Sequence, residues 1–300
     1  MAEQQSFLVS ATHVAQRLDQ FLRAELKGLS RRELLSVIQS GHVRVNGRLA
    51  SKSTLVQPGD RIDVGGIPAE TGPAADFEVA LRIIFEDEHL VAVDKPGGMP
   101  SHALRAGERG TVVSALLARY PALRGVGYRE LESGLLHRLD NDTSGVLLAA
   151  RDQETFEQLR AAHERGEFEK RYLALVSGRA VRRRLHGYLT ADRRKVRIHA
   201  DAVTGAKAVS CELVSSEPHG SFSLVCVALS LAARHQVRAQ LAAAGHPIAG
   251  DSLYGGAQLP GLARHFLHAS EVTLPYGGKR LQLSAALPSE LERVLSSVRD

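Results

Sequence analysis

The stretch LLHRLDNDTSGVLL, residues 135–148, sets five polar or charged side chains, Asp140 to Ser144, and a glycine between two apolar runs. Such a segment is either an ordinary polar turn or the support for a carboxylate kept among apolar neighbours to do chemistry. A carboxylate buried there needs a cation or several donors to remain charged. Position alone leaves both readings open. Other chemistries find less support. His265 and His268 are three apart among 13 histidines, but no Cys or carboxylate pattern completes a zinc site, so no metal is expected. GERG and GAKA are too short to form a phosphate loop, and no order of Ser, His and Asp suggests a hydrolase.

A length of 300 residues suggests one large domain plus something smaller. With 44% hydrophobic and 24% charged residues, the composition is that of a soluble globular protein and disfavours disordered or fibrous classes. Cys211 and Cys226 both sit in apolar, strand-like segments, so two buried free thiols in a reducing compartment, the cytoplasm, are expected. The N-terminus lacks a cationic start before a long apolar core, and no run approaches the ~18 apolar residues of a membrane span. Neither export nor membrane insertion is expected, and a monomer is the default.

The net charge of +5 points to a polyanionic partner, and its distribution says more than its size. Between Arg160 and Ala200, twelve Lys and Arg face four Asp and Glu, a larger excess than that of the whole chain. VRRRLHG and DRRKVRIH alternate cations with apolar residues, which on a strand would put the charges on one face. That face could meet a row of phosphates or protect a solvated edge strand from aggregation.

The elements that must carry these residues fall into two groups. At the front, Leu18, Phe21, Leu22 and Leu26 follow the spacing of one buried helix face. Ser30 begins a second helix with a capping-box pattern, since Glu33 lies three residues on. Leu34, Leu35 and Ile38 give that helix an apolar face and Gly41 ends it. HVRVNGRLA then reads as a strand entering an Asn46-Gly47 hairpin, and QPGD as a turn into RIDV. Two helices on a small sheet, over residues 15–65, are expected. GGIPAETGPAAD is poor in large apolar residues and marks a linker, set at 66–78.

The large domain, 79–300, opens with a hairpin in RIIFEDEHLVAVDKP, whose Pro96 bars continuation of the second strand. Thr111 opens an amphipathic helix carrying Val112, Leu116 and Leu117 that ends before Pro121. Asn141 to Ser144 have the composition of a tight turn ending at Gly145, with Asp140 at its rim.

RLDQFL, SRRELLSVIQSGHVRVNG and LVQPGDRIDV together resemble an S4 domain, a small RNA-binding module. The resemblance implicates Arg31 and Arg32 on the second helix, with Arg44 on the following strand, in RNA binding. HRLDNDTSGVLLAAR resembles the signature of the RluA family of pseudouridine synthases. Four further stretches resemble that family in the expected order: IIFEDEHLVAVDKPGGMPSH, KRYLALVSG, RHQVRAQLAAAGHPIAGDSLYG and FLHASEVTLPY. The resemblance covers nearly the whole chain beyond Ile83. It implies an α+β protein: an S4-like module, then a catalytic domain built on a mixed, mainly antiparallel sheet with flanking helices.

By the same resemblance Asp140 is the catalytic carboxylate, Arg138 helps hold the flipped-out nucleotide, Tyr172 is the active-site tyrosine and Arg238 pairs with the aspartate. Lys95 and Pro96 match a structural pair. Arg234 and His235 are assigned to the substrate edge, although SLAARHQVR departs from the family's TGRTHQIR at Ala232, Ala233 and Arg234, which puts in doubt how the RNA backbone is held there. Arg234 and Arg238, four residues apart, are expected on one face of a helix ending near Gly245.

The implied reaction breaks the N1–C1′ bond of uridine, rotates the uracil and rejoins it through C5, so it needs no cofactor. Asp140 must be ionised to attack C1′ or C6 or to remove a sugar proton. Apolar surroundings would raise its pKa, and Arg238 would oppose that. Tyr172 has a face to stack on the uracil and a hydroxyl to assist proton removal from C5. RNA is the expected partner, ribosomal RNA of the large subunit before transfer RNA. A non-catalytic S4-led RNA-binding protein is the alternative from another class.

Overall fold

The computed structural model describes residues 3–10, 15–26, 31–67 and 72–298. The front module runs β1 (Glu3–Leu8), β2 (Gln16–Arg17), α1 (Leu18–Glu25), α2 (Arg31–Gln39), β3 (Val43–Val45), β4 (Arg48–Leu49), β5 (Leu55–Val56) and β6 (Arg61–Ile67). Its main sheet has the order β1-β6-β3-β4, and β2 pairs with β5. Leu18, Phe21, Leu22 and Leu26 are buried as their helical spacing requires. On α2 the apolar face is shifted: Leu34, Val37 and Ile38 are buried and Leu35 is half-buried, because i, i+3, i+4 from Leu34 is the row that faces α1 and β6. The hairpin between β3 and β4 turns on Asn46 and Gly47, both at positive φ, as its sequence predicted. Ser30 and the side chain of Glu33, the proposed capping pair, lie outside the described residues.

Of the segment expected to be a linker, residues 68–71 lie outside the described ones. Gly65 and Gly66 belong to β6, and a side chain at Gly66 would meet the His42 ring at 2.7 Å, so Gly66 serves close packing there. Farther on, Asp76 is buried and its carboxylate accepts from the amides of Glu78 and Gly110 at 3.1 and 2.9 Å.

The large domain contains β7 (Arg82–Glu86), β8 (Leu90–Lys95), α3 (Val112–Arg119), β9 (Ser144–Ala150), α4 (Gln153–Glu164), β10 (Glu169–Ser177), β11 (Arg183–Ala191), β12 (Val196–His199), β13 (Lys207–His219), β14 (Phe222–Leu229), α5 (Gln236–Ala243), β15 (Leu267–Tyr276), β16 (Lys279–Ser284) and α6 (Ser289–Ser297). Its strands form one ten-stranded sheet of order β12-β11-β13-β14-β10-β15-β9-β8-β7, with β16 also on β15. The β9–β15 pair is parallel and the other pairs are antiparallel. This is the mixed, mainly antiparallel sheet the sequence led us to expect.

β8 and β9 are buried on both faces, which explains their unbroken apolar runs. Val91, Val93, Leu147 and Ala149 pack with α3, α5 and α6 in one core, and Leu90, Ala92, Val146 and Leu148 pack with α4 in the other. Thr111 caps α3 as anticipated: its hydroxyl accepts from the Ser114 amide at 3.1 Å, and Ser114 answers by accepting from the Thr111 amide at 2.9 Å. Of the basic runs, Arg183 and Arg184 lie on β11 and Arg197 on β12, the edge of the sheet, whereas Arg193, Arg194 and Lys195 lie in the turn between the two strands. Cys211 is buried, whereas Cys226 is only half-buried; both are free. No helix among the described residues is long and apolar enough to cross a membrane.

Candidate active site

Asp140 sits at the first position of a tight turn closed by the Thr143 amide on the Asp140 carbonyl at 3.0 Å. The turn is shorter than its composition suggested, since Ser144 already begins β9. Nor is the approach from Leu135 a strand; it touches β9 through one bridge, Leu135 to Ala149, and then runs irregularly into Asp140.

Nearly every residue around the carboxylate is fixed by a side chain from elsewhere. The Ser101 hydroxyl donates to the Leu139 carbonyl at 2.7 Å and accepts from its amide at 3.1 Å. Lys95 Nζ donates to the carbonyls of Asn141, Met99 and Pro96 at 2.7, 2.6 and 2.9 Å. Arg264 donates to the Asp142 carbonyl at 2.7 Å and to the Ser144 hydroxyl at 2.9 Å, and is itself held by Glu290 of α6 at 2.9 Å. His265 Nε2 lies 2.8 Å from the Thr143 hydroxyl and His268 Nδ1 lies 2.9 Å from that of Ser144. The two histidines that the sequence presented as a failed metal pair are thus pins for the turn, and no metal-binding group of His, Cys, Asp and Glu occurs among the described residues. Burial pushes the His265 imidazole down to about 4, consistent with a neutral ring.

With its backbone anchored, the Asp140 side chain projects into a cleft of about 930 Å³ also lined by Arg138, Tyr172, Arg234, His235 and Arg238. Arg238, on α5, donates from Nη1 to Asp140 Oδ2 at 3.0 Å. Its other edge is taken by Asp251, with Nε to Oδ2 at 2.6 Å and Nη2 to Oδ1 at 2.8 Å, a bidentate pair that fixes the plane of the guanidinium. Burial acts against that charge, but the hydrogen bonds the guanidinium donates to Asp251 and Asp140, with their negative charges, outweigh it and raise the pKa. The guanidinium also lies over the Tyr254 ring, 5.2 Å from its centroid.

His235 stands beside the pair, with Nε2 3.8 Å from Asp140 Oδ2 and Nδ1 3.2 Å from the Tyr254 hydroxyl. Burial holds its pKa below the ordinary value although Asp140 pulls the other way. Tyr172, on β10, is buried, and burial followed by the charge of Asp140 raises its phenol pKa. A neutral phenol suits stacking and hydrogen bonding better than it suits a phenolate base.

Other expectations fare differently. Arg234 does not share a helix face with Arg238, because α5 starts at Gln236 and His235 precedes it at φ 55°, which turns the chain. Arg234 instead donates to the carbonyls of Asp192 and Arg193 in the turn between β11 and β12, so the departing segment ties down the basic edge. Arg138 is half-exposed and bonded to Glu132 at 3.0 Å and His102 at 3.1 Å at the cleft wall. Arg44 is exposed on β3 and donates to the Gly47 carbonyl at 3.1 Å. Arg31 and Arg32 begin α2, but their side chains lie outside the described ones. Asp251, Tyr254, Ser101 and Arg264 had no role in the sequence reading; Asp251 and Tyr254 fall within the quoted stretch GHPIAGDSLYG, whose order of residues marks it without revealing what they bind.

Comparison with known proteins places this geometry. The model of the RNA pseudouridylate synthase family matches residues 89–243, and that of the S4 domain matches residues 16–62. A Chloroflexus aurantiacus protein named an uncharacterized RNA pseudouridine synthase is 34% identical over 100% of this chain and 95% of its own length. The ribosomal large subunit pseudouridine synthase D of Xanthomonas campestris is 30% identical over 98% of this chain and 92% of its own length. Among solved structures, human RNA pseudouridylate synthase domain containing 4 shares the fold, with a TM-score of 0.58 at 22% identity over 73% of this chain and 93% of its own. With two family models in the order its motifs follow and relatives matched along its whole length, the chain belongs to the RNA pseudouridylate synthase family and carries an S4 domain in front.

Proposed function

We propose that this protein converts uridine to pseudouridine in large-subunit ribosomal RNA with Asp140 as the reacting carboxylate. The observation that carries the assignment is the Arg238–Asp140 pair at 3.0 Å, set in a cleft with Tyr172 and His235. The reaction moves C1′ from N1 to C5 of the same uracil and exchanges the C5 proton for one on N1, so atoms and electrons balance without a co-reactant. Asp140 supplies the nucleophile or base, Arg238 orients it, and Tyr172 offers the uracil a flat, protonated surface. The relatives named for the ribosomal large subunit support that target.

The uridine must leave its stack to reach Asp140, which costs a few kcal/mol, roughly, and favours loops or distorted RNA. Arg138 at the cleft wall, the cations of β11 and β12 and the front module with Arg31, Arg32 and Arg44 offset that cost through phosphate contacts. The test is to incubate the purified protein with unmodified ribosomal RNA and with transfer RNA and to map pseudouridine chemically. Modification of ribosomal RNA that drops at least ~100-fold in Asp140→Asn is expected. Equal modification by that variant would remove Asp140 from the role, and modification of transfer RNA alone would reverse the target.

A further inference from the structure

The cleft has a second lining that the reaction does not use, made of His137, Arg160, His163 and Lys170. His137 lies three residues before Asp140, Arg160 and His163 are one turn apart on α4, and Lys170 lies two residues before Tyr172 on β10. Three of the four are more than nine-tenths buried, with exposures of 7% for His137, 9% for His163 and 2% for Lys170. Lys170 Nζ and His163 Nε2 are 2.6 Å apart. Arg160 donates to the Leu136 carbonyl at 3.0 Å and to Glu164, at the surface, at 3.1 Å.

Part of the group lacks partners. Both ring nitrogens of His137 and the Nε of Arg160 are buried without a hydrogen-bond partner. Among the described residues no carboxylate hydrogen-bonds to His137, His163 or Lys170. Burial together with the neighbouring cations pushes Lys170 down to about 7 and His163 to about 3 and holds His137 well below its ordinary value. Buried donors without partners are rare because each carries the cost of a lost hydrogen bond. Here Arg160 Nε and the His137 ring lie unpartnered beside Lys170 at the wall of a cleft that RNA must enter, and the acid bonded to Arg160, Glu164, lies at the surface.

We infer that His137, Arg160 and Lys170 form an anion site that takes a single phosphate group. A phosphate offers several acceptor oxygens to donors arriving from different directions, and guanidinium and ammonium groups are its usual partners. Arg160 is the entrance, with its side chain 29% exposed while its Nε faces inward. The phosphate is either an RNA linkage next to the target uridine, which rests on the function proposed above, or free inorganic phosphate.

The full-length protein is crystallised and soaked with selenate, and inorganic phosphate is titrated in solution with binding read by calorimetry. The expected result is an anomalous peak within hydrogen-bonding distance of Lys170 Nζ and His137, and phosphate affinity weakened about tenfold or more in Lys170→Met and in Arg160→Gln. Arg160→Gln changes only a partly exposed side chain, so it serves should Lys170→Met fail to fold. Water alone in the recess, with no phosphate response in the wild type, overturns the site. RNA carrying one neutral methylphosphonate linkage at a time separates the sources. Affinity lost at one linkage in the wild type but not in Arg160→Gln assigns an RNA phosphate, and indifference at every linkage assigns the free ion. Asp140→Asn is expected to keep the selenate peak, so a failure of the proposed activity leaves this result standing and the reverse holds equally.

Discussion

Lys95 Nζ lies 2.7 Å from the main-chain oxygen of Asn141, with no exposure to solvent. When Lys95 is protonated its three protons meet three carbonyls, so the ammonium is satisfied although no carboxylate among the described residues touches it. Lys95→Met leaves those carbonyls without a donor and frees the residue next to Asp140. Stability falls by ~3 kcal/mol, and turnover falls by about tenfold or more because the carboxylate loses its fixed position. Urea unfolding and single-turnover kinetics check the two effects; unchanged turnover in a folded variant would show that the turn holds without the lysine.

Arg238 reaches Asp140 with one nitrogen and Asp251 with two. The buried partner is Asp251, whose side chain is 1% exposed. Removing it strands a mostly buried guanidinium, so Asp251→Ala costs ~3–5 kcal/mol. Arg238→Lys fails to restore activity, because an ammonium cannot span the Asp251 carboxylate and meet Asp140 together. Denaturation of the first variant and pseudouridine formation by the second read these outcomes.

Gly145 follows the turn at φ 116° and its Cα faces the main chain of Ala269, its partner across the parallel β9–β15 pair. A Cβ there collides with the Ala269 carbonyl and needs a conformation that side chains avoid. Gly145→Ala therefore destabilises by on the order of 3 kcal/mol and separates Ser144 from His268. A midpoint within error of the wild type would refute this.

Stability falls as pH falls across two windows. Burial, with Arg264 beside Lys95 and Arg160 beside Lys170, pushes both lysines from 10.5 to about 7 in the folded chain. Between those values the unfolded chain holds protons that the folded chain does not, so lowering the pH favours unfolding, by at most about 1.4 kcal/mol per pH unit for each lysine. Below 7 this contribution is constant. Buried His265 and His163, at about 4 and about 3, extend the loss from 6.5 downward. Urea midpoints in phosphate-free buffer should rise from pH 7 to pH 9, with a shallower rise in Lys170→Met; a flat profile contradicts the assignment.

The features the sequence predicted well depend on near neighbours. The Asn46-Gly47 hairpin, the Thr111 cap and the buried stripe of α1 follow from backbone preference and periodicity within a few residues. Where the reach grew, the reading slipped. Spacing put Arg234 on a helix with Arg238, but the left-handed His235 between them sends Arg234 to the β11–β12 turn. Composition marked the turn after Asp140 but ran it through Ser144, which already begins β9.

Taken alone, the sequence determined the order of the motifs, the family they resemble and Asp140 as the residue to watch. Only the tertiary structure decided what fixes that residue. Ser101, Lys95, Arg264, His265 and His268 reach Leu139 and Asn141 to Ser144 from 38 to 124 positions away. For Arg264, His265 and His268 that meeting depends on β15 lying parallel beside β9 at the turn, and for Lys95 and Ser101 on β8 pairing antiparallel with the other side of β9. Two apolar strands announce burial by their periodicity, but neither carries a local signal of which strand will be its neighbour; that pairing is set by the packing of the whole sheet.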